Sequence, residues 1–417
     1  IGAYRDNEVT ATSPLMLTLS ELGKESADIS TIQLQSLPLL EVRQLVADSL
    51  RCLADESEDL SNLVFDKTAG NPFFLTQFLA KLHEDGLVRF DFTHFRWLWD
   101  TSAIHAQKVS DNVIDLMTRK ILKLPTQTSD LLQVAACVGA SFDLDTLAAA
   151  AGMTEQEVAR DLWPGIREGL TPPLDDNYRA FQSEAVETDL GAFGLTDINP
   201  RYRFLHDRIQ QAAYNMIPEK ERPKMHLHIG KLLLREMTPG MLDDRLFDVV
   251  NHLSLGRGLI TDTTQKLQYA ELFLVAGKKA KASTAHASAA DYLSYGIELL
   301  GDLNWTSDYY QLSYDLHFER AEALYLSVQH AEAEKVLGTI LSNTALRGDL
   351  AKVHLLKGVL YTNIGQLMDA FNACKEGLVL YGIEVPASVT PEMIGQGLGE
   401  IEALRAGRPI DELTELP

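Results

Sequence analysis

The chain has 417 residues, of which 46% are hydrophobic, so it can bury two or three cores and is not a small disulfide-stabilised domain. Its 59 acidic and 37 basic residues give a net charge of -22, which opposes tight contact with nucleic acid or anionic lipid over most of the surface. No apolar run is long enough to cross a bilayer, and Cys52, Cys137 and Cys374 are too scattered for a metal cluster or disulfide framework, which favours a reducing cytoplasm.

The first nine residues run from a short apolar stretch into a charged cluster. They have neither the long apolar segment nor the small-residue cleavage site of a secretory signal peptide. We therefore expect residues 1–30 to be the last strands of a larger domain.

Residues 31–110 are predicted to be a helical subdomain. Within it, the order Gly70, Asn71, Pro72 predicts two helices that meet almost without a gap. Gly suits the left-handed residue after a helix, Asn caps the next helix, and Pro suits its first turn. These structural roles explain the order by themselves, but an adenine ring could also lie against a proline held in this way.

A short β-hairpin is predicted after the second of these helices. Asp85 and Gly86 end the helix, and apolar residues alternate on both sides of a turn at Thr93 and His94. The hairpin would complete the subdomain of residues 31–110.

Residues 111–220 are predicted to form a winged-helix domain. Two apolar helical patterns precede Gly139, and Thr154 with Glu157 predicts a capping box before a third helix. Residues 175–200 are polar and would be the wing. Such domains often bind DNA, but the third helix carries several carboxylates, which makes it a poor surface for phosphates.

The stretch from residue 203 to residue 214 brings a strand end, an imidazole and a helix start together. Asp207 and Gln210, three residues apart, predict a capping box that opens the helix. The positive end of a helix beside His206 would suit a phosphate. The alternative is structural: Asp207 only caps a helix, and His206 is a partly buried ring that has its hydrogen bonds.

Residues 221–417 are predicted to be helical repeats. Tyr325 and Tyr361 are 36 residues apart and Ala333 and Ala370 are 37 apart, close to the roughly 34-residue period of TPR proteins. Each helix pair leaves an apolar face uncovered, so the pairs are expected to stack and form a surface for a peptide or protein domain. A spacer without a ligand is the alternative.

Several short motifs, taken in order, carry a resemblance to a known family. They are residues 1–9, Gly70-Asn71-Pro72-Phe73-Phe74, Gly86-Leu87-Val88, Trp97-Leu98-Trp99-Asp100, Asp111-Asn112-Val113, Ala135-Ala136-Cys137-Val138-Gly139 and residues 206–214. With these gaps, the chain resembles the C-terminal part of the nucleotide-binding module of STAND-class signalling NTPases. It is most similar to large bacterial proteins that join a Ser/Thr kinase, an AAA-type ATPase, helical repeats, GAF sensors and a histidine kinase.

The resemblance implies roles for four residues of a nucleotide site that an upstream segment would complete. Arg5 matches the arginine that senses the terminal phosphate. Gly70 and Pro72 match the Gly-x-Pro motif, whose proline packs on adenine. His206 matches the histidine that touches the inner phosphates of bound ADP, with Leu205 where related switch ATPases have Met. The remaining motif residues, Asn71, Asp207 and Gln210, would be structural.

The sequence lacks the motifs that hydrolysis requires. No Gly-x-x-x-x-Gly-Lys-Ser/Thr occurs, and the acidic metal-holding strand, which the resemblance would put before residue 1, is not part of this sequence. We therefore expect this chain alone to have no catalytic residues, no resident metal and no tightly bound nucleotide. ATP or ADP with Mg would belong to the parent protein, which is expected to be an ATPase and a protein kinase.

The chain is thus predicted to be mainly α: a remnant of an α/β NTPase core, a helical lid, a winged-helix domain and a TPR-like α-solenoid. Its predicted function is that of a cytoplasmic nucleotide switch and protein-interaction region that couples the ATP or ADP state to kinase output. Its partners would be a protein or neighbouring domains bound through the repeats, with no nucleic acid and no membrane insertion. The alternatives are a nonenzymatic TPR-type scaffold and a STAND-type transcription regulator whose DNA-binding domain lies elsewhere.

Overall fold

The computed structural model describes residues 29–106, 113–181, 199–236, 239–386 and 389–405, with a few isolated positions between 15 and 22. The chain is mainly helical, with 73% helix and 4% strand, as predicted for the fold class. It divides into two compact units, Ile1–Tyr269 and Ala270–Pro417. No described helix is long and apolar enough to cross a membrane. The predicted core remnant at residues 1–30 lies almost wholly outside the described residues.

The first unit alternates helices with two short strand pairs. In chain order its elements are α1 (Leu39–Leu50), α2 (Glu58–Thr68), α3 (Pro72–Glu84), β1 (Val88–Asp91), β2 (Arg96–Trp99), α4 (Thr101–Ala106), α5 (Val113–Leu122), α6 (Thr126–Val138), β3 (Ser141–Asp143), α7 (Leu144–Ala151), α8 (Glu155–Arg167), β4 (Arg201–Arg203), α9 (Asp207–Met216), α10 (Arg222–Glu236) and α11 (Pro239–Gly256).

The remaining helices follow α11. They are α12 (Thr263–Ala282), which contains the boundary between the units, α13 (His286–Leu300), α14 (Tyr310–Leu326), α15 (His330–Asn343), α16 (Arg347–Asn363), α17 (Leu367–Val379) and α18 (Pro391–Arg405).

The β-hairpin predicted after α3 is confirmed. Strands β1 and β2 pair antiparallel, with Val88 opposite Trp99 and Asp91 opposite Arg96. The Asp91 carboxylate accepts a hydrogen bond from Thr93 N at 2.8 Å, which closes the turn between the strands.

Strands β3 and β4 pair antiparallel, and Phe142 stacks on Tyr202 with ring centroids 5.8 Å apart. The sequence predicts a strand over residues 202–205, but β4 ends at Arg203. Beyond it, Phe204 N donates to the Ala140 carbonyl and Leu205 N to the Leu170 carbonyl, both at 2.9 Å, so two different loops replace the strand ladder. Most of the predicted wing, residues 182–198, lies outside the described residues.

Helix α7 is absent from the sequence prediction, which has only three helices between residues 111 and 170. The helix has only eight residues, about two turns, which is too short for a helical period to be recognised in the sequence. The capping box predicted at the start of α8 is present: Thr154 N donates to the Glu157 carboxylate at 2.9 Å, and Glu157 N donates to the Thr154 hydroxyl at 3.3 Å.

In the second unit, successive helices pack on one another through small residues. A Cβ at Gly277 of α12 would lie 2.4 Å from Leu293 of α13, and one at Gly296 would lie 2.7 Å from Leu316 of α14. Ala333 and Ala370, equivalent in the predicted repeat, are both buried, in α15 and α17 respectively. Glycine and alanine at these positions let neighbouring helix backbones approach closely.

Candidate functional site

The junction between α2 and α3 is a tight turn in which the backbone of Leu37 packs against Gly70. Ala69 and Gly70 both have left-handed backbones, with φ of 49° and 69°. Leu37 N donates to the Gly70 carbonyl at 2.9 Å. A Cβ at position 70 would lie only 2.0 Å from the Leu37 carbonyl oxygen. Glycine is therefore required here both by its φ and by the close approach of another backbone segment.

The next two residues begin α3. Asn71 Oδ1 accepts a hydrogen bond from Phe74 N at 2.9 Å, which satisfies one of the N–H groups that the first helical turn leaves open. Pro72 is the first helical residue, and it is exposed. Proline has no N–H to satisfy at this position, so the helix starts without strain and carries an exposed pyrrolidine ring at its end.

Phe73 connects this junction with the second predicted motif. Its ring lies nearly flat on the imidazole of His206, with ring centroids 4.1 Å apart and 13° between the planes. The two residues are far apart in the chain, so folding alone creates this contact. We call the place where they meet the turn–helix site, and it consists of Gly70, Asn71, Pro72, Phe73 and His206.

His206 occupies the N-cap position of α9. Its Nδ1 accepts a hydrogen bond from Arg208 N at 3.2 Å, and the same N–H donates to the Asp207 carboxylate at 2.8 Å. Nδ1 also lies against that carboxylate, so it accepts from Arg208 N when the ring proton is on Nε2 and donates to Asp207 when Nδ1 is protonated. The imidazole side chain is 20% exposed. Because Nδ1 is directed at the protein, a ligand that used this nitrogen would have to displace the bond from Arg208.

The capping box predicted from Asp207 and Gln210 is wrong. Helix α9 begins at Asp207, one residue earlier than a cap at that position allows, and His206 is the cap. Gln210 does not fold back on the helix start, because its Nε2 donates to the Ala136 carbonyl at the end of α6, at 3.1 Å. Gln210 therefore ties α9 to a neighbouring helix.

The position of helix α9 is fixed by a buried face. Ile209, Ala212 and Ala213 are at most 1% exposed, and the helix packs against α5 and α6. Burial of this face fixes the direction of α9 and therefore the place of the imidazole at its start.

Three of the four residues with a predicted role in nucleotide binding, Gly70, Pro72 and His206, lie in this part of the structure. The fourth, Arg5, lies outside the described residues. Sequence reasoning did not single out Phe73, although it is the residue that touches His206. The available signal was an aromatic side chain directly after the proline of a helix start.

A second polar arrangement, which the sequence did not reveal, lies at the other end of α9. The Tyr214 hydroxyl is 3.0 Å from His226 Nε2, and His226 Nδ1 is 3.0 Å from His252 Nδ1. The His252 ring also bonds to the carbonyl of Val138. A carbonyl can only accept, so a neutral His252 donates to Val138 and accepts from His226, which in turn accepts from Tyr214. We call Tyr214, His226, His252 and the Val138 carbonyl the histidine chain.

Burial keeps both rings of the histidine chain neutral. It lowers the pKa of His252 to about 4, with smaller contributions from His226 and Arg245. Burial also lowers the pKa of His226, and the Arg222 guanidinium adds to the effect. His226 and His228, two residues apart on α10, do not share a face of the helix: His226 is buried and His228 is exposed. Among the described residues, no group of three or more side chains could hold a metal ion.

Comparison with known proteins gives one informative relative. The chain is 26% identical over 452 aligned residues to hybrid signal transduction histidine kinase G of Dictyostelium discoideum. The alignment covers 99% of the chain but only 13% of that relative, so the chain corresponds to a small part of its length. No family model matches the chain, and no solved structure matches it significantly.

Proposed function

We propose that this chain is the regulatory nucleotide-switch region of a larger signal-transduction protein. The observation that carries the proposal is the stacking of Phe73 on His206, which joins the Gly70–Pro72 turn to the start of α9. These are the two motifs whose resemblance to STAND-class NTPases implies contact with one nucleotide. The likeness to a hybrid signal transduction histidine kinase supports a general role in signalling.

In the proposed site, adenine packs on the exposed ring of Pro72 and the inner phosphates of ADP lie at the start of α9. The N–H groups of the first helical turn and the positive end of the helix favour an anion there. His206 would contact the phosphates from the same position. An upstream phosphate-binding loop would hold the remaining phosphate oxygens and Mg.

The proposed switch depends on which nucleotide is bound. ADP holds α9, and with it the proposed winged-helix domain of residues 111–220, against the proposed lid of residues 31–110. ATP engages Arg5 instead and releases that clamp. In the closed form the clamp is held against the lid, and in the open form it is released. For nucleotide exchange to change the populations of these two forms, ADP and ATP must differ by a few kcal/mol in their preference for the closed over the open form.

The helical repeats are the proposed output of the switch. The succession of packed helices from α13 to α17, with buried Ala333 and Ala370 at equivalent places, supports a TPR-like array. In this proposal the array contacts a protein partner or neighbouring domains and passes the nucleotide state to a kinase. The chain itself does not hydrolyse ATP, and the parent protein is both an ATPase and a kinase.

The direct test is ADP affinity in a longer chain that carries the upstream phosphate-binding loop. The variant His206→Asn keeps a side chain that caps helices well but removes the imidazole. We expect ADP affinity to fall about tenfold or more, the effect of losing one hydrogen bond to a charged group. The matched control is His228→Asn, at an exposed histidine of α10, which should bind ADP as the wild type does.

The rival proposal is a nonenzymatic scaffold in which His206 only caps α9 and stacks on Phe73. The observed hydrogen bond from Arg208 N to His206 Nδ1 supports this alternative, because capping of α9 by itself explains why a histidine stands at position 206. It predicts unchanged ADP affinity in His206→Asn, or no ADP binding at all in the longer chain. Either result would refute the switch.

A further inference from the structure

The first unit contains a cavity of about 470 Å³ that the proposed switch does not use. It lies among the end of α6, strands β3 and β4, and helices α7, α10 and α11. Its volume falls within the range of small-molecule sites. Both apolar and charged side chains line it.

The two carboxylates in the lining already have partners. The Asp143 carboxylate accepts hydrogen bonds from Thr146 N at 2.8 Å and from Asn199 Nδ2 at 3.3 Å, so it caps α7. The Asp248 carboxylate accepts from Arg245 Nε at 3.2 Å. Both carboxylates therefore serve the protein's own structure, Asp143 at the start of α7 and Asp248 in an ion pair with Arg245.

Two arginines in the lining have donors to spare. Arg201 is 69% exposed, and its ion pair with Asp175 is loose, at 3.9 Å. Arg245 uses Nε for Asp248, which leaves the two terminal nitrogens of its guanidinium outside that bond. A guanidinium binds carboxylate and phosphate oxygens in a fork, so this pair is suited to an anionic group.

The cavity also has an apolar wall. Phe142, Leu174 and Leu233 line it, and they come from three different segments of the chain. Phe142 and Leu233 are nearly buried and present only an edge, whereas Leu174 is 43% exposed, so a carbon skeleton bound here would mainly cover Leu174.

We propose that this cavity binds a small organic anion. Arg201 and Arg245 hold its carboxylate or phosphate group, and its carbon skeleton lies against Phe142, Leu174 and Leu233. The site is separate from the turn–helix site, and the proposal does not depend on nucleotide binding there. His252 of the histidine chain forms part of the same lining. A ligand in the cavity would therefore contact His252, whose hydrogen bond to His226 is part of the histidine chain that connects α9 to α11.

Calorimetric titration of the nucleotide-free chain tests this proposal with three probes: phenyl phosphate, benzoate and phenol. Phenol has the same ring without an anionic group. We expect at least one of the two anions to bind at least tenfold more tightly than phenol, and the better anion identifies phosphate or carboxylate as the preferred group. The double variant Arg201→Gln/Arg245→Gln should weaken binding of that anion by about tenfold or more.

The matched control is Arg89→Gln/Arg119→Gln, which removes the same charge from two exposed arginines outside the cavity. It should bind the anion as the wild type does. If neither anion binds more tightly than phenol, or if the cavity variant and the control bind equally well, the proposal is wrong.

Discussion

Gly70 has both a backbone conformation and a neighbour that exclude a side chain. With φ of 69° and a Cβ that would overlap the Leu37 carbonyl, Gly70→Ala forces the reversal between α2 and α3 to open. We expect the free energy of unfolding to fall by more than about 3 kcal/mol, since backbone strain and steric overlap add. Urea unfolding at pH 7 measures this loss.

Gly86→Ala is the matched control for this prediction. Gly86 has nearly the same φ, 71°, but a Cβ there would have no atom within 4 Å. Only the left-handed backbone is then penalised, by about 1–2 kcal/mol. An equal loss of unfolding free energy in the two variants would show that steric overlap with the Leu37 carbonyl does not destabilise Gly70→Ala.

At the residue scale the sequence predicts a side chain's local role better than its distant partner. Asn71 caps α3 through an atom three residues away, which a local pattern can reveal. Gln210 has the same local spacing from Asp207, yet its amide bonds to α6, 74 residues earlier. The stacking of Phe73 on His206 is hidden for the same reason, because no spacing rule connects them.

At the scale of elements, the histidine chain predicts acid sensitivity. The pKa of His252 is about 4 in the folded chain and 6.5 in the unfolded chain, so the unfolded chain binds more protons as pH falls below 6.5. The free energy of unfolding is therefore highest at neutral pH and falls as the pH drops from about 6.5 to about 4. In acid it is lower than at neutral pH by up to roughly 3 kcal/mol. Urea unfolding at pH 7 and pH 5 should show most of the decline.

The variant His252→Gln removes the titrating ring and should reduce the difference in unfolding free energy between pH 7 and pH 5. His228→Gln, at an exposed histidine of α10, should leave that difference unchanged. An undiminished pH dependence in His252→Gln would mean that the buried pair does not control acid stability.

Close packing of helices in the second unit predicts opposite effects of the same substitution at two glycines. Gly277→Ala places a methyl group 2.4 Å from Leu293, which is fully buried, so the unit should lose up to about 2 kcal/mol. Gly338 of α15 is exposed, with no atom near its Cβ position. Gly338→Ala should therefore gain about 0.5–1 kcal/mol from its helix propensity. Thermal unfolding should show a lower melting temperature for Gly277→Ala and a higher one for Gly338→Ala. A more stable Gly277→Ala variant would contradict the close packing of Gly277 on Leu293.

Elements with strong local signals were predictable, and those that depend on tertiary contacts were not. The β1–β2 hairpin and the capping box of α8 follow from alternation and cap residues. Helix α7 was missed because eight residues are too few to show a helical period. The end of β4 was missed because the N–H groups of residues 204 and 205 bond to two different loops. His226 gave no sequence signal for its partner, since His252 lies on another helix.

For the whole molecule, composition and periodicity were enough to predict a mainly helical chain with more than one core. The order of weak motifs then brought the Gly70–Pro72 turn and His206 into one hypothesis, and folding places Phe73 and His206 in contact. Neither the cavity beside Arg201 nor the histidine chain could be predicted, because each is assembled from segments without a common pattern.

The central claim is that the turn at residues 70–73 and the start of α9 bind the same nucleotide. Amide hydrogen exchange in the longer chain with the upstream phosphate-binding loop, with and without ADP, tests it most directly. We expect ADP to slow exchange in residues 71–75 and 206–210 together, with equal half-saturating concentrations. Protection of only one segment, or of neither, would contradict a shared site.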